Sequence, residues 1–263
     1  MGKYIAIARA EWLDALNNRG EMFLWILLET TPIFIMSSLW ISNQSGVISL
    51  GYSTSQLVTY YLLILTISRL TTHHFDERMQ IEIRDGTFSK FLVKPLSIPI
   101  GLIPQNIGGK LFHVFFLLTP ILIGLLFFLR NYIIYPTMIN AILFIISLFS
   151  AFMIQYSLSV IATAVAFYLE QSSAFLHAKW MLENVAGGYI IPISIFPLWL
   201  LNVVNILPFK YLYYVPASIF LGKFSFPESL QQILISFFWV VVLLFISHAF
   251  WKQGVKRYSG VGG

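Results

Sequence analysis

Three stretches of this chain run far without a single Asp, Glu, Lys or Arg: Leu111 to Leu129, Asn131 to Leu169, and Ile233 to Phe250. A helix needs about 20 apolar residues to cross a bilayer. In lipid only helices and closed barrels satisfy their own backbone hydrogen bonds. Barrel strands alternate polar and apolar side chains in segments of about ten residues, and these runs do not alternate. Composition agrees: 58% of the 263 residues are hydrophobic and only 10% charged, against roughly 25% charged in a soluble domain. The sequence therefore predicts an all-α polytopic membrane protein.

Charge-free stretches and polar turns predict six transmembrane helices. They run from Met22 to Trp40, from Ser55 to His74, and from Leu111 to Leu129; a fourth follows Pro136, a fifth starts near Met181, and the sixth is Ile233 to Phe250. An even number of spans puts both termini on one side. With the termini cytoplasmic, every Lys and Arg falls inside except Arg130, Lys210 and Lys223, the asymmetry expected of membrane proteins. The net charge of +5 thus reads as topology and not as a nucleic-acid signal. Arg9, Glu11 and Asp14 interrupt any apolar region after Lys3, so no cleavable signal peptide is predicted.

Three regions are not simple spans. Residues 1–21 contain a helix with Ile5, Trp12, Leu13 and Leu16 on one arc, but Arg9 falls within that arc. Such a helix lies on the cytoplasmic membrane face, either packed on protein as well as lipid or as a pure membrane anchor. Residues 75–110 form a long mixed-charge connection with Pro95, Pro99 and Pro104; its interleaved Phe, Leu and Ile argue against disorder. Residues 187–222 are apolar but interrupted by Pro192, Pro197, Pro208 and Pro216. Proline breaks helices, which predicts a broken, re-entrant outer hairpin; a long fifth span with an interfacial loop is the other reading.

Catalytic signatures are missing. Gly109-Lys110 is followed by Leu111 and Gly222-Lys223 by Phe224, so neither has the hydroxyl residue of a nucleotide-binding P-loop. No HExxH or GxSxG motif occurs, and with no cysteine thiolate chemistry and Cys-ligated metals are excluded. Glu29 within the first span and His113 near the third are candidate intramembrane polar sites, although a protonated or headgroup-paired Glu29 would need no transport role. His113, Gln155 and His248 also suit helix-packing hydrogen bonds, and the pair His73-His74 reads as interfacial and not metal-binding.

The most informative segment is Glu82 to Leu96, which contains IRDGTFSKFLVKPL from Ile83 on. Charges of both signs, a glycine break and then Phe88, Phe91 and Leu92 describe a short helix with an apolar face for a partner. It resembles the cytoplasmic segment between the second and third spans of type-2 ABC transporter permeases, the exporter-like class. IPISIFPLWL at Ile191–Leu200, LPF at Leu207–Phe209, YVPASIFLG at Tyr214–Gly222 and the ending WKQGVKRYSGVGG resemble the branch of that superfamily catalogued as a domain of unknown function. The resemblance implies a single permease domain over 1–263. It would act as a homo- or heterodimer in the cell membrane, of bacterial inner-membrane type, beside lipid and separate ATP-binding subunits. ATP and Mg would bind in those partners, with no cofactor, metal or nucleic acid held by this chain. Coupling to the ATPase would fall to Glu82, Arg84, Asp85, Gly86, Thr87, Phe88 and Phe91, with a second cytoplasmic contact at Glu170, Gln171 and Lys179. The apolar lining suits an amphipathic or apolar cargo. An ion-coupled transporter using Glu29 and His113 is the competing class, and a membrane enzyme is a third.

Overall fold

The computed structural model describes residues 2–17, 21–42, 51–73, 75–92, 98–169 and 172–258, and every element among them is helical. In chain order these are α1 (Gly2–Asn17), α2 (Glu21–Ser42), α3 (Thr54–Thr71), α4 (Phe75–Arg84), α5 (Ser89–Leu92) and α6 (Ile98–His113). They continue with α7 (Thr119–Leu129), α8 (Met138–Val165), α9 (Ser173–Ala186), α10 (Leu198–Ile206), α11 (Tyr214–Phe220) and α12 (Phe226–Arg257).

The helix ends follow local chemistry. Ser53 caps α3 by accepting from the Gln56 amide at 3.1 Å, and the Gln56 side chain accepts from the Ser53 amide at 2.9 Å, a reciprocal capping box. Ser225 and Glu228 mark the start of α12, where the Glu228 carboxylate accepts from both the Ser225 amide and hydroxyl. Between α6 and α7 lies a π-turn, Val114–Leu118. Pro120, just inside α7, removes a ladder donor, and the wider turn absorbs the misfit; the Thr119 hydroxyl donates to the Val114 carbonyl at 2.7 Å.

Among the described residues three helical runs are long and apolar enough to cross a membrane: Gly101–Tyr132, Met138–Val165 and Phe226–Arg257; Thr31–Ser42 is a shorter apolar helix. The first run begins as helix ten residues before the predicted Leu111. The predicted fifth span is not one continuous helix: α9 stops at Ala186, and Gly188 takes φ +82°. The chain then proceeds through a 3₁₀ turn, α10, a second 3₁₀ turn and α11. Pro197 stands at the N-cap of α10 and Pro208 in the first turn of its 3₁₀ segment, where a missing amide hydrogen costs little.

At the centre stands α8, packed along α12 through small side chains. Ser147, Ser150 and Ala151 of α8 and Ser229, Ser236 and Gly254 of α12 are all buried; Ser236 donates to Ser150 at 2.9 Å, and Gly254 lies against Phe167, just beyond α8, with room for no Cβ. Small residues let helices approach where lipid offers no hydrophobic drive. Phe127, Phe128, Ile145, Phe238 and Phe245 point outward and are exposed, as lipid-facing side chains should. Helix α1 lies across α6 at Gly108, where a Cβ would sit 2.1 Å from the Ala8 carbonyl oxygen. Trp12 packs edge-on against Phe112 and Phe115, while Ile5 and Leu13 remain exposed. So α1 meets both protein and surroundings, the mixed packing that is one of the two readings of its imperfect amphipathicity.

Candidate functional site: a charged hub behind a pinned hook

Helix α4 joins two structures. Its first turn carries Asp76, which faces Lys179 from α9 with Nζ 2.6 Å from Oδ2. Lys179 and Glu183 are four apart on α9 and share a face; their charged groups lie 3.5 Å apart. The lysine also donates to the Ser159 hydroxyl of α8 at 2.8 Å. Asp76, Lys179 and Glu183 have side chains at most one-tenth exposed. One ammonium therefore serves two buried carboxylates, and Glu183 Oε1 has only the long ion contact, with no hydrogen bond. Ionised groups survive burial only when paired in this way.

A seam of neutral polar groups extends the hub. Gln155, fully buried on α8, donates to the Tyr213 hydroxyl at 3.1 Å and the Thr72 hydroxyl at 3.4 Å. Gln80 donates to the Ala162 carbonyl at 2.7 Å and accepts from Ser172 at 2.8 Å. His73 departs from expectation. It is buried, not interfacial, with its ring against Phe152, Tyr156 and Phe75, because the chain turns inward after α3. His74 lies outside the described residues. Beside the hub a cavity of about 680 Å³ runs from Glu183 and Asp76 past Trp180 and Ile81 to Arg84.

The other end of α4 is the hook. Gly86 takes φ +76°, a conformation glycine adopts without strain, and the chain reverses so that the Phe88 amide donates to the Glu82 carbonyl at 2.9 Å. Phe88 is fully buried among Phe91, Phe167, Trp251 and Tyr258. The Tyr258 hydroxyl donates to the Gly86 carbonyl at 2.6 Å. At the tip, Arg84 and Asp85 pair at 3.1 Å in the open, Thr87 is exposed, and Glu82 pairs with Lys90 at 3.1 Å. The expected single apolar docking face is therefore divided. Phe88 precedes the short α5 and turns inward to the α8 and α12 ends, Phe91 is half-buried, and Leu92 faces out.

Of the other predicted site residues, Lys179 is drawn into the hub, while Glu170 and Gln171 lie outside the described residues. Glu29 sits on α2 with its side chain outside them as well. His113 donates from Nδ1 to the Gly109 carbonyl of its own helix at 2.8 Å. Pro192, Pro197, Pro208 and Pro216 all fall in the broken segment between α9 and α12. Sequence reasoning missed Asp76, Gln80 and Ser159 as members of a site. The i,i+4 pair Lys179 and Glu183 was the one local signal, and its third member comes from a helix about a hundred residues earlier. Among the described residues no group of three or more metal-binding side chains is present.

A family model described as ABC-2 family transporter protein matches residues 27–262. No curated protein and no solved structure gives a significant match.

Proposed function

Because this chain belongs to the ABC-2 transporter family, and so is the membrane permease of an ABC transporter and not its ATPase, we propose that the 82–91 hook is its driven element. In this reading two permeases, identical or paralogous, form an export path for an amphipathic or apolar cargo. Each spans the membrane six times with cytoplasmic termini. Separate ATP-binding subunits, which hold ATP and Mg, bear on the hooks.

The observation that carries this reading is the double anchoring of α4. Its tip offers Arg84, Asp85 and Thr87 to a partner, while Phe88 fixes the root of the turn. A ten-residue helix is about 15 Å long and stiff, so a push at the tip reaches Asp76. From there the Lys179 ion pair passes it to α9 and the proline-broken segment beyond. The second cytoplasmic contact, at Glu170 and Gln171, would bear on the other end of α9; Lys179 serves it from behind as the link to Asp76. Pro192, Pro197, Pro208 and Pro216 would form the yielding outer hairpin.

Affinity purification from native membranes in mild detergent tests the assignment. An ATP-binding subunit should co-purify with the wild-type chain and be lost from the Arg84→Glu/Gly86→Pro variant, since proline cannot adopt the φ of Gly86. Retained binding and ATP-driven export in that variant would overturn it. The buried Asp76, Lys179 and Glu183 group also suits ion-coupled transport; cargo movement along an ion gradient with no ATPase bound would favour that alternative, in which Glu29 and His113 were the expected coupling residues.

A further inference from the structure

The cavity of about 680 Å³ beside the hub has the size of a small-molecule pocket, on the order of 300–1,000 Å³. Its lining divides by depth. Asp76, Gln80 and Glu183 are buried at the floor, whereas Glu77, Ile81 and Trp180 are exposed at the rim, so the space opens to the surroundings between α4 and α9. Two chemistries meet there. Trp180 is 66% exposed and Ile81 45%, which gives the rim an aromatic and an aliphatic surface, one from each helix. The acids among the described lining residues are Asp76, Glu77 and Glu183, against Lys179 and Arg84. Arg84 is paired with Asp85 at the hook tip, and Lys179 donates to Asp76 and Ser159.

Glu183 is the group that asks for a ligand. It is 3% exposed and borders the cavity, yet its Oε1 accepts no hydrogen bond, its ion contact with Lys179 being 3.5 Å long. A buried carboxylate oxygen without a donor is costly, and a donor entering through the cavity would relieve it. An inorganic cation has no use for Trp180 and Ile81. An organic cation uses both features, since its charged nitrogen suits the carboxylate and its ring suits the indole face. We propose that the cavity between α4 and α9 binds an aromatic, amphiphilic organic cation bearing N–H donors. Glu183 accepts from the ligand nitrogen, Lys179 stays with Asp76 and Ser159, and Trp180 carries the ring. Anionic lipid concentrates such compounds at a membrane surface. That this ligand is the cargo rests on the export path proposed above; its binding does not.

Ethidium, a flat aromatic cation bearing amino groups, is the probe. Its fluorescence is titrated with the full chain in phosphatidylcholine nanodiscs, with neither ATP nor an ATP-binding subunit present. Wild type should bind it saturably, and phenanthridine, the uncharged parent ring, should compete about tenfold less well. Glu183→Gln should weaken binding about tenfold or more, the effect of losing a charged hydrogen bond. That variant leaves Lys179 and Asp76 matched one to one, so it should fold as wild type does. Trp180→Ala, at an exposed position, should weaken binding about threefold or more, and Trp180→Phe should restore most of it. No saturable binding by wild type, equal competition by phenanthridine, or wild-type affinity in either Glu183→Gln or Trp180→Ala overturns the site. Because no ATPase takes part, such a result leaves the hook assignment standing, and a failed co-purification leaves this site standing.

Discussion

Where α3 meets residues 187–222, the polar groups that need partners are backbone carbonyls; where α4 and α9 meet α8, they are ionised side chains. At the first end the glycine and proline breaks free the carbonyls of Gly188 and Ile190, and the Tyr60 and Tyr61 hydroxyls from α3 donate to them. Tyr52 adds a 2.6 Å bond with the Ser194 hydroxyl. Irregular backbone persists at membrane depth only when protein supplies such donors. At the second end the backbone is regular, and the groups needing satisfaction are Asp76, Lys179 and Glu183, which satisfy one another. The difference matters because a carbonyl cannot be deleted, whereas charges can be removed in matched sets. The tyrosine end therefore cannot be relieved by removing its acceptors, whereas the charges of the other end can be taken away together.

The sharpest way to break this comparison is Lys179→Met, which strands two buried carboxylates. Stability in detergent, read by thermal unfolding, should fall by about 3–5 kcal/mol. Adding Asp76→Asn and Glu183→Gln should recover most of it while transport stays impaired; a triple variant as unstable as the single would show that the hub is structural only. Next comes Phe88→Ala, which empties the aromatic pocket among Phe167, Trp251 and Tyr258 and should cost about 3 kcal/mol. Cysteine at Thr87, in a chain with no other cysteine, should crosslink to an ATP-binding subunit in wild type and lose that crosslink with Phe88→Ala.

At the tyrosine end the effects should be smaller and beyond rescue. Tyr60→Phe leaves the buried Gly188 carbonyl without its donor and should cost about 2 kcal/mol. In Gly188→Ala a Cβ would stand 2.9 Å from the Tyr60 hydroxyl at φ +82°, for a similar loss. The two together should cost little more than one alone, since both undo the same contact; full additivity in unfolding measurements would break that account. Ser225→Ala, at the start of α12 outside both ends, should cost about 1 kcal/mol or less and so gauges what an ordinary cap contributes.

Much of this was legible in particular residues. The charge-free run after Pro136 became α8, and the run ending at Phe250 became the middle of α12, because nothing in either sequence offers a reason to stop. Pro192, Pro197 and Pro208 announced a broken segment, since a missing donor acts wherever the chain goes. Gly86 marked a break for a different local reason: without a Cβ it takes its φ of +76° free of strain. His73 misled, because its neighbourhood in sequence is a span end, and only the inward turn after α3 places it against Phe152. Phe88 misled too: an apolar residue near exposed charges looks the same whether it faces a partner or its own helix ends.

By itself the sequence determined the class of solvent, the helical class of the fold, and the breaks, because hydropathy, charge and proline act over a few neighbouring residues. Tertiary structure alone decided that Asp76 would meet Lys179 from 103 positions away, that Tyr60 would reach the Gly188 carbonyl, and that Ile81 and Trp180 would share a cavity between α4 and α9. Such pairings depend on which helix faces each helix lays together. That choice rests on the fit of small residues such as Ser150, Ser236 and Gly108, whose meaning exists only once two helices touch.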